Sequence, residues 1–479
     1  MSSGSSELSG DPAVRGTGSP GTPEGRPVLH RGLKVLGTIF IVLSAVTPAS
    51  SVFIIAPGVL AQAGTGAVWS FLAAAVIGVF MAFVYAELSS AFPLTGGEYA
   101  ITARTLGKGA GFLTLGLVLV SNLLILAVIA LGVGTYLGVL FDGLDAAVVA
   151  AVTVVAAALL AVLDIKVNAL VTGVFLAIEM VALVVVTVLG FVHVERPLTD
   201  LLLSPQVLDP GSGLAPASIG LIIAATAIAI FAYNGYGSAV YFGEETRDAH
   251  RKLAVIILWS LGITVVAEIV PVTAVLMGAA DLEALLGSEN MIGQFVVSRG
   301  GETLNTVISL AIAVAIVNAV IAIMLLSARL LFSTGRDSTW PGPVSRALAT
   351  IHPRFGTPWV ATLTAGVLAT ACCFLDLTLL LVATGTSLAV LYGALCVAAI
   401  AGRRNGSTAH AAYRMPLFPL PPIVVLGALA YVLYQTAADP EFGRPSIVAA
   451  VVVLAVSGLY YVAVLRRRGG WRLSDAAQG

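Results

Sequence analysis

Two short stretches carry residue types that could handle a small polar solute inside an otherwise aliphatic chain. The first reads Ala45-Val46-Thr47-Pro48-Ala49-Ser50-Ser51, followed by Ala56-Pro57-Gly58. Pro48 lacks a backbone donor, and the three hydroxyls near it can satisfy the carbonyls it frees. The second reads Phe231-Ala232-Tyr233-Asn234-Gly235-Tyr236-Gly237-Ser238. Two glycines, an amide and two phenols are a poor composition for a lipid-facing helix. Unwound backbone at such places exposes N–H and C=O groups. The N-terminal end of the half-helix that follows carries partial positive charge and suits a carboxylate, while the free carbonyls suit an ammonium group. The natural guest is a zwitterion with both groups on adjacent atoms.

Carboxyls inside apolar runs are costly and mark function by default. Glu179 sits in Leu176-Ala177-Ile178-Glu179-Met180-Val181, and Glu268 precedes Pro271. Burial disfavours the charged form of a carboxyl, so Glu179 could load and release a proton; it could equally stay protonated as a structural hydrogen-bonding group between helices. Glu268 is the second proton-relay candidate, with no partner that the sequence names. Glu87 and Arg329 lie at the ends of apolar runs, where they could snorkel to water or pair as an inner gate. Glu244, Glu245, Arg247 and Asp248 follow the second polar stretch as a solvated or gating cluster. Sodium coupling would want paired hydroxyls in the eighth apolar run, because hard cations take oxygen ligands. That run reads Ala311 to Val320 with Asn318 as its one polar residue, which favours a proton or an exchange mechanism over sodium. Asn318 and Asn122 are the amides expected to join helices.

The elements that position these residues follow from composition. Of 479 residues 58% are hydrophobic and only 10% charged, against about 25% charged in soluble domains. Lipid must therefore be the solvent, which excludes a secreted enzyme and a disordered protein. The net charge of -1 leaves no basic excess for a nucleic acid partner. Cys372, Cys373 and Cys396 lie within apolar runs, with neither a disulfide framework nor a zinc spacing. Residues 1–32 read as a disordered tail, rich in Gly, Ser and Pro. Spans of about 20 apolar residues are expected near 33–62, 66–91, 110–140, 146–163, 168–192, 217–243, 253–279, 303–333, 359–375, 378–402, 419–437 and 446–465. With the N-terminus inside, 21 of the 24 Lys and Arg fall on the inner side, leaving Arg196, Arg299 and Arg444 outside. This positive-inside bias puts both termini in the cytoplasm. The two polar breaks fall in the first and sixth spans, so a second set of five helices starts where the first ended and enters from the opposite side. Matched breaks in two inverted halves point to a transporter's binding site.

Four motifs, spread in order over roughly residues 33–402, resemble the amino acid–polyamine–organocation superfamily of permeases. They are Glu87 through Phe92-Pro93 to Gly96-Gly97-Glu98-Tyr99; the sixth span from Phe231 into Gly243-Glu244-Glu245-Thr246; Ser327-Ala328-Arg329-Leu330 with Gly335-Arg336-Asp337; and His352-Pro353-Arg354-Phe355-Gly356-Thr357-Pro358. One departure stands out: where the family usually has a glycine-rich break in the first span, this chain has Pro48-Ala49-Ser50-Ser51. The resemblance implies an all-α integral membrane protein with twelve transmembrane helices. These form a LeuT-like five-plus-five inverted repeat with discontinuous helices 1 and 6, plus two extra C-terminal helices. The expected divisions are residues 1–32 as tail, 33–192 and 217–402 as the two repeats, 419–465 as helices eleven and twelve, and 466–479 as a cytoplasmic tail. By resemblance, Phe231 would roof the substrate, Tyr233, Asn234 and Gly235 would line the pocket, and Thr47, Ala49, Ser50 and Ser51 would face it from the other side. For the tyrosines, anchoring at a membrane interface is the alternative to lining.

The expected function is secondary active transport of an amino acid or related amine across the cytoplasmic membrane by alternating access. The substrate and a proton are its partners, with no cofactor and no metal. A polyamine, choline or ethanolamine carrier and an amino acid exchanger remain alternatives. A six-plus-six facilitator would want a basic motif between spans two and three; a channel would want a repeated pore element or charge ring. An enzyme would want clustered chemistry, whereas the five histidines are scattered among tail and loops.

Overall fold

The computed structural model describes residues 33–138, 143–209, 211–440, 443–468 and 471–473. The tail expected over 1–32 lies outside the described residues. The chain is overwhelmingly helical, because in lipid a helix satisfies every backbone group internally. Among the described residues, nine helical stretches are long and apolar enough to cross a membrane. The first, Val35–Ala91, takes in two of the expected segments, and two shorter apolar helices, Ala146–Ala161 and Trp359–Cys372, coincide with the expected fourth and ninth. Val152, Leu170, Val181, Trp259, Val367 and Leu459 are all well exposed on outer faces. That much outward apolar surface belongs against lipid, and the protein is an integral, multi-pass membrane protein.

The elements used below are α1 (Val35–Val46), α2 (Ala56–Ala63), α3 (Ala67–Ala91), α4 (Gly97–Thr105), α5 (Lys108–Gly138), α6 (Ala146–Ala161) and α7 (Ile165–Val192). They continue with β1 (Gln206–Asp209), β2 (Gly213–Pro216), α8 (Ile219–Ala232), α9 (Ala249–Gly278), α10 (Met291–Arg336), α11 (Trp359–Cys372), α12 (Leu377–Arg404), α13 (Leu420–Ala438) and α14 (Gly443–Tyr460). Helix α1 packs against α7, α9 and α10, and α8 against α2 and α3. The two polar stretches therefore lie at the centre of the bundle rather than on its rim.

Local geometry explains each interruption. Helix α1 stops because Thr47 takes the left-handed conformation (φ 50, ψ 73) and Pro48 starts the next turn. Proline is well placed at the first position of a helix, where its missing N–H costs nothing. The chain runs on through a π-turn, Ser51–Ile55, into α2. Helix α8 stops at Ala232, Gly235 takes φ 121, and a 3₁₀ segment, Tyr236–Phe242, follows. The long α10 is bent at Gly301 (φ 81), just before the expected start of the eighth span.

The expected all-α architecture needs one correction. Strands β1 and β2 form an antiparallel hairpin in the α7–α8 connection. Exposed backbone there finds partners by pairing with itself, and Gln206 N–H also donates to Thr65 Oγ1 at 2.8 Å, docking the hairpin on the end of α2. Below, this is the hairpin end of the bundle. The opposite end, where α4 lies and α10 terminates, is the charged end.

Candidate substrate-binding site

The two interruptions touch. A Cβ on Gly235 would lie 2.9 Å from Val46 Cα, and its φ of 121 is one that side-chain-bearing residues avoid. Gly235→Ala is expected to cost about 1–3 kcal/mol in backbone strain alone. The measurement is a lowered thermal unfolding midpoint in detergent, with a wild-type midpoint refuting the close approach. Ser51 ties the same junction by donating its hydroxyl to Ala232 O at 2.9 Å.

The amide at the start of the resumed first helix is already occupied. Glu179, fully buried on α7, accepts from Ala49 N–H at 2.8 Å and from the Thr47 hydroxyl at 3.3 Å through Oε1. Thr47 Oγ1 and Ser50 Oγ lie 2.9 Å apart in hydrogen-bonding contact, and Glu179 Oε2 has no hydrogen-bond partner. An internal carboxyl thus takes the place the sequence offers to a substrate's carboxylate. Glu268, buried on α9, also has both oxygens without a hydrogen-bond partner, and its surroundings include Ser51 and Glu179.

Beside this junction lies a cavity of about 80 Å³. Its polar wall is Thr47, Ser50, Ser51 and Asn234; its apolar wall is Ile54, Ile55, Ile125, Val128, Ile129 and Ile323, with Phe231 at the edge. Ala49 contributes through its backbone N–H, as above. Tyr233, expected to line the pocket, is turned away: its hydroxyl donates to Phe71 O at 3.2 Å and its ring meets Phe71 edge-on at 5.9 Å. One step along a helical turn rotates a side chain by about 100°, enough to move it from cavity to helix interface. Asn234 is held instead by Tyr392 of α12, whose hydroxyl donates to Oδ1 at 2.5 Å. The sequence gives no sign of this partner 158 residues away. Asn318 joins helices as expected, donating to Ser44 Oγ at 2.8 Å and Thr172 O at 3.3 Å. Asn122 of α5 lies beside the Tyr241 hydroxyl of the 3₁₀ segment, with its Nδ2 short of a hydrogen bond.

A second cavity of about 80 Å³ continues toward the charged end and shares Ala45, Ile125, Asn234 and Ile323 with the first, with Gly235 in its wall. Glu98 lines it, 4% exposed, accepting from the Tyr85 hydroxyl at 3.1 Å. Burial raises the Glu98 carboxyl above its ordinary range.

Below this cavity, among the described residues, lie three ion pairs whose carboxylates are largely buried, besides the exposed Lys252–Asp248 pair, with a correction to the expected pairing. Arg329 does not meet Glu87. It makes a two-pronged contact with Glu245, Nε to Oε2 at 2.8 Å and Nη2 to Oε1 at 3.0 Å, with both side chains essentially fully buried. Glu87 instead accepts from Arg403 Nε at 2.7 Å and Nη2 at 2.6 Å, and from Met415 N–H at 2.8 Å. Glu244 takes Arg336 at 2.5 and 2.7 Å. Burial alone would raise the Glu244 carboxyl, but the Arg336 guanidinium on it holds it below its ordinary value. Of the cluster expected to be solvated, only Arg247 and Asp248 are exposed. Tyr99 closes this layer by hydrogen bonding to Ser333 Oγ at 2.6 Å and donating to Asp337 Oδ2 at 3.0 Å. Trp471, 1% exposed, stacks on the Tyr99 ring at 5.4 Å and donates from Nε1 to Thr339 Oγ1 at 3.1 Å.

Comparison with known proteins agrees with this architecture. The amino acid permease family matches residues 33–456. The methylthioribose transporter of Bacillus subtilis is 26% identical over 410 residues, covering 81% of this chain and 84% of that protein. The branched-chain amino acid permease of Lactococcus lactis is 24% identical over 399 residues, covering 79% and 84% respectively, and its Bacillus subtilis counterpart is 25% identical over 331 residues, covering 64% and 69%. The chain is a transporter rather than an enzyme, and it belongs to the amino acid permease family, within the amino acid–polyamine–organocation superfamily.

Proposed function

We propose that this permease moves an amino acid with an aliphatic side chain across the cytoplasmic membrane by alternating access, coupled to a proton carried on Glu179. The observation that carries this reading is the junction of the two breaks: a small cavity walled on one side by hydroxyls and Asn234 and on the other by isoleucine and valine. The hydroxyl oxygens of Thr47, Ser50 and Ser51 in the polar wall suit the ammonium group, and the aliphatic wall suits a leucine- or isoleucine-like side chain. Two relatives bear the name of branched-chain amino acid permeases, which supports that side-chain class. Twelve spans in a five-plus-five inverted repeat, with both termini cytoplasmic, complete the reading. The charged end then faces the cytoplasm, in keeping with the placement of Lys and Arg. Thr47, Ala49, Ser50, Ser51, Phe231, Asn234 and Gly235 form the substrate site, and Glu268 is the second proton-relay group.

A second reading rests on Glu179 itself. Because its carboxyl already occupies the Ala49 amide, a guest without a carboxylate, such as an amine or a neutral solute, also fits. Uptake of labelled L-leucine into proteoliposomes, with and without an inward proton gradient, tests the first reading. Gradient-stimulated uptake is expected. Gradient-independent uptake that needs internal amino acid would make the protein an exchanger. Absence of leucine uptake alongside uptake of a labelled amine or methylthioribose would replace the first reading with the second.

A further inference from the structure

The second cavity is a built site with nothing in the protein to fill it. Five buried polar atoms in its wall lack a hydrogen-bond partner: Glu98 Oε2, Ser121 Oγ, Asn122 Nδ2, Ser238 Oγ and Tyr241 Oη. The Tyr241 hydroxyl lies beside both Glu98 and Asn122 without closing a hydrogen bond to either. These residues come from α4, α5 and the 3₁₀ segment that follows the second break, so three separate elements aim polar atoms at one space. Protein interiors rarely leave such atoms bare, since each costs the desolvation of an unmet hydrogen bond. No Lys or Arg lines the cavity, so a Glu98 carboxylate there has no positive partner. The acceptor set, one carboxylate oxygen with three hydroxyl oxygens, matches the three N–H donors of a primary ammonium. Asn122 supplies a donor for the other end of the same guest. The cavity shares the wall formed by Ala45, Ile125, Asn234 and Ile323 with the first pocket.

We infer that Glu98, with Tyr241, Ser238, Ser121 and Asn122, forms an inner station that binds the ammonium end of the substrate between the junction pocket and the cytoplasm. This rests on the permease reading above and deepens it. It gives the glutamate of the Gly96-Gly97-Glu98-Tyr99 motif a role that neither the junction nor the ion-pair layer supplies. A free monovalent cation is the competing source of the same charge.

The test measures half-saturation for L-leucine separately on each face, using right-side-out and inside-out vesicles carrying the full chain. Glu98→Gln keeps the shape and removes the charge. It is expected to raise the cytoplasmic-face value about tenfold, as loss of a hydrogen bond to a charged group does. The outer-face shift should be at least fivefold smaller. Tyr241→Phe, which deletes one free oxygen, is expected to give a shift of roughly threefold on the same face, and it keeps the test alive if the Glu98 variant does not fold. Inhibition by 4-methylpentanoate, leucine without its amine, should be the same in wild type and both variants; a merely structural Glu98 would alter it along with leucine. Equal shifts on both faces, no shift, or a wild-type cytoplasmic-face value that changes when sodium is replaced by potassium or choline would overturn the inference. Wild-type vesicles that move no leucine on either face would instead refute the amino acid reading, and this station with it.

Discussion

Proteoliposomes carrying Glu179→Gln are expected to equilibrate leucine but not to concentrate it. One pH unit across the membrane stores about 1.4 kcal/mol per proton, which supports roughly a tenfold substrate gradient for a one-proton symporter. The wild type should therefore approach about tenfold accumulation under that gradient and the variant about onefold. Glutamine suits this purpose because its side-chain oxygen can still accept from Ala49 N–H, the 2.8 Å contact that fixes the restart of the first helix. Exchange of internal for external leucine should survive, since it needs no net proton movement. Glu179→Ala is a different perturbation: it leaves the buried Ala49 amide without its acceptor, costing about 1–3 kcal/mol for a stranded group. It should lower the unfolding midpoint as well as the transport rate. Accumulation by Glu179→Gln at the wild-type level would remove Glu179 from the coupling path and leave Glu268 as the remaining buried carboxyl at the junction.

The second large effect is expected at the charged end. Arg329 and Glu245 are 0% and 1% exposed, and the guanidinium also lies 5.5 Å over the Phe242 ring. Arg329→Met would strand the Glu245 carboxylate in a dry site, and breaking a buried pair this way costs about 3–5 kcal/mol. The double variant Arg329→Met with Glu245→Gln should recover most of that loss, because replacing both charges by neutral groups of similar size is often close to neutral. The buried thiols of Cys373 and Cys396 offer a readout, since a thiol-reactive dye labels them only as the bundle opens. A single variant as stable as the wild type would mean that the pair is solvated, contrary to its burial.

What the sequence revealed and what it hid differ in physical kind. The helical bundle was legible because long aliphatic runs have one good solution in lipid. The interruptions at Thr47-Pro48 and at Gly235 were legible because proline and glycine act through their own backbone. Pairing was not. Glu87 and Arg329 are each near an apolar run's end, but which guanidinium meets which carboxylate depends on helix rotation and on residues far apart in sequence; Glu87's partner is 316 residues away. Tyr233 was misplaced for the same reason, since a break sets where the helix stops but not which way the next side chain points. The burial of Glu98 is hidden for the same reason: Gly96-Gly97-Glu98-Tyr99 leads into a stretch that carries Thr102, Arg104 and Thr105 and reads as a water-facing connection.

The Trp471 indole, buried and stacked on Tyr99, would brake any motion of α4. Any motion that opens the inner cavity by displacing α4 must drag this ring along or expose it. Full exposure of a large aromatic costs on the order of 2–3 kcal/mol, which would thin the open population roughly 30- to 150-fold. The strength of such a brake would be set by one side chain remote from the junction of the two breaks, so the turnover rate could be tuned without altering that junction.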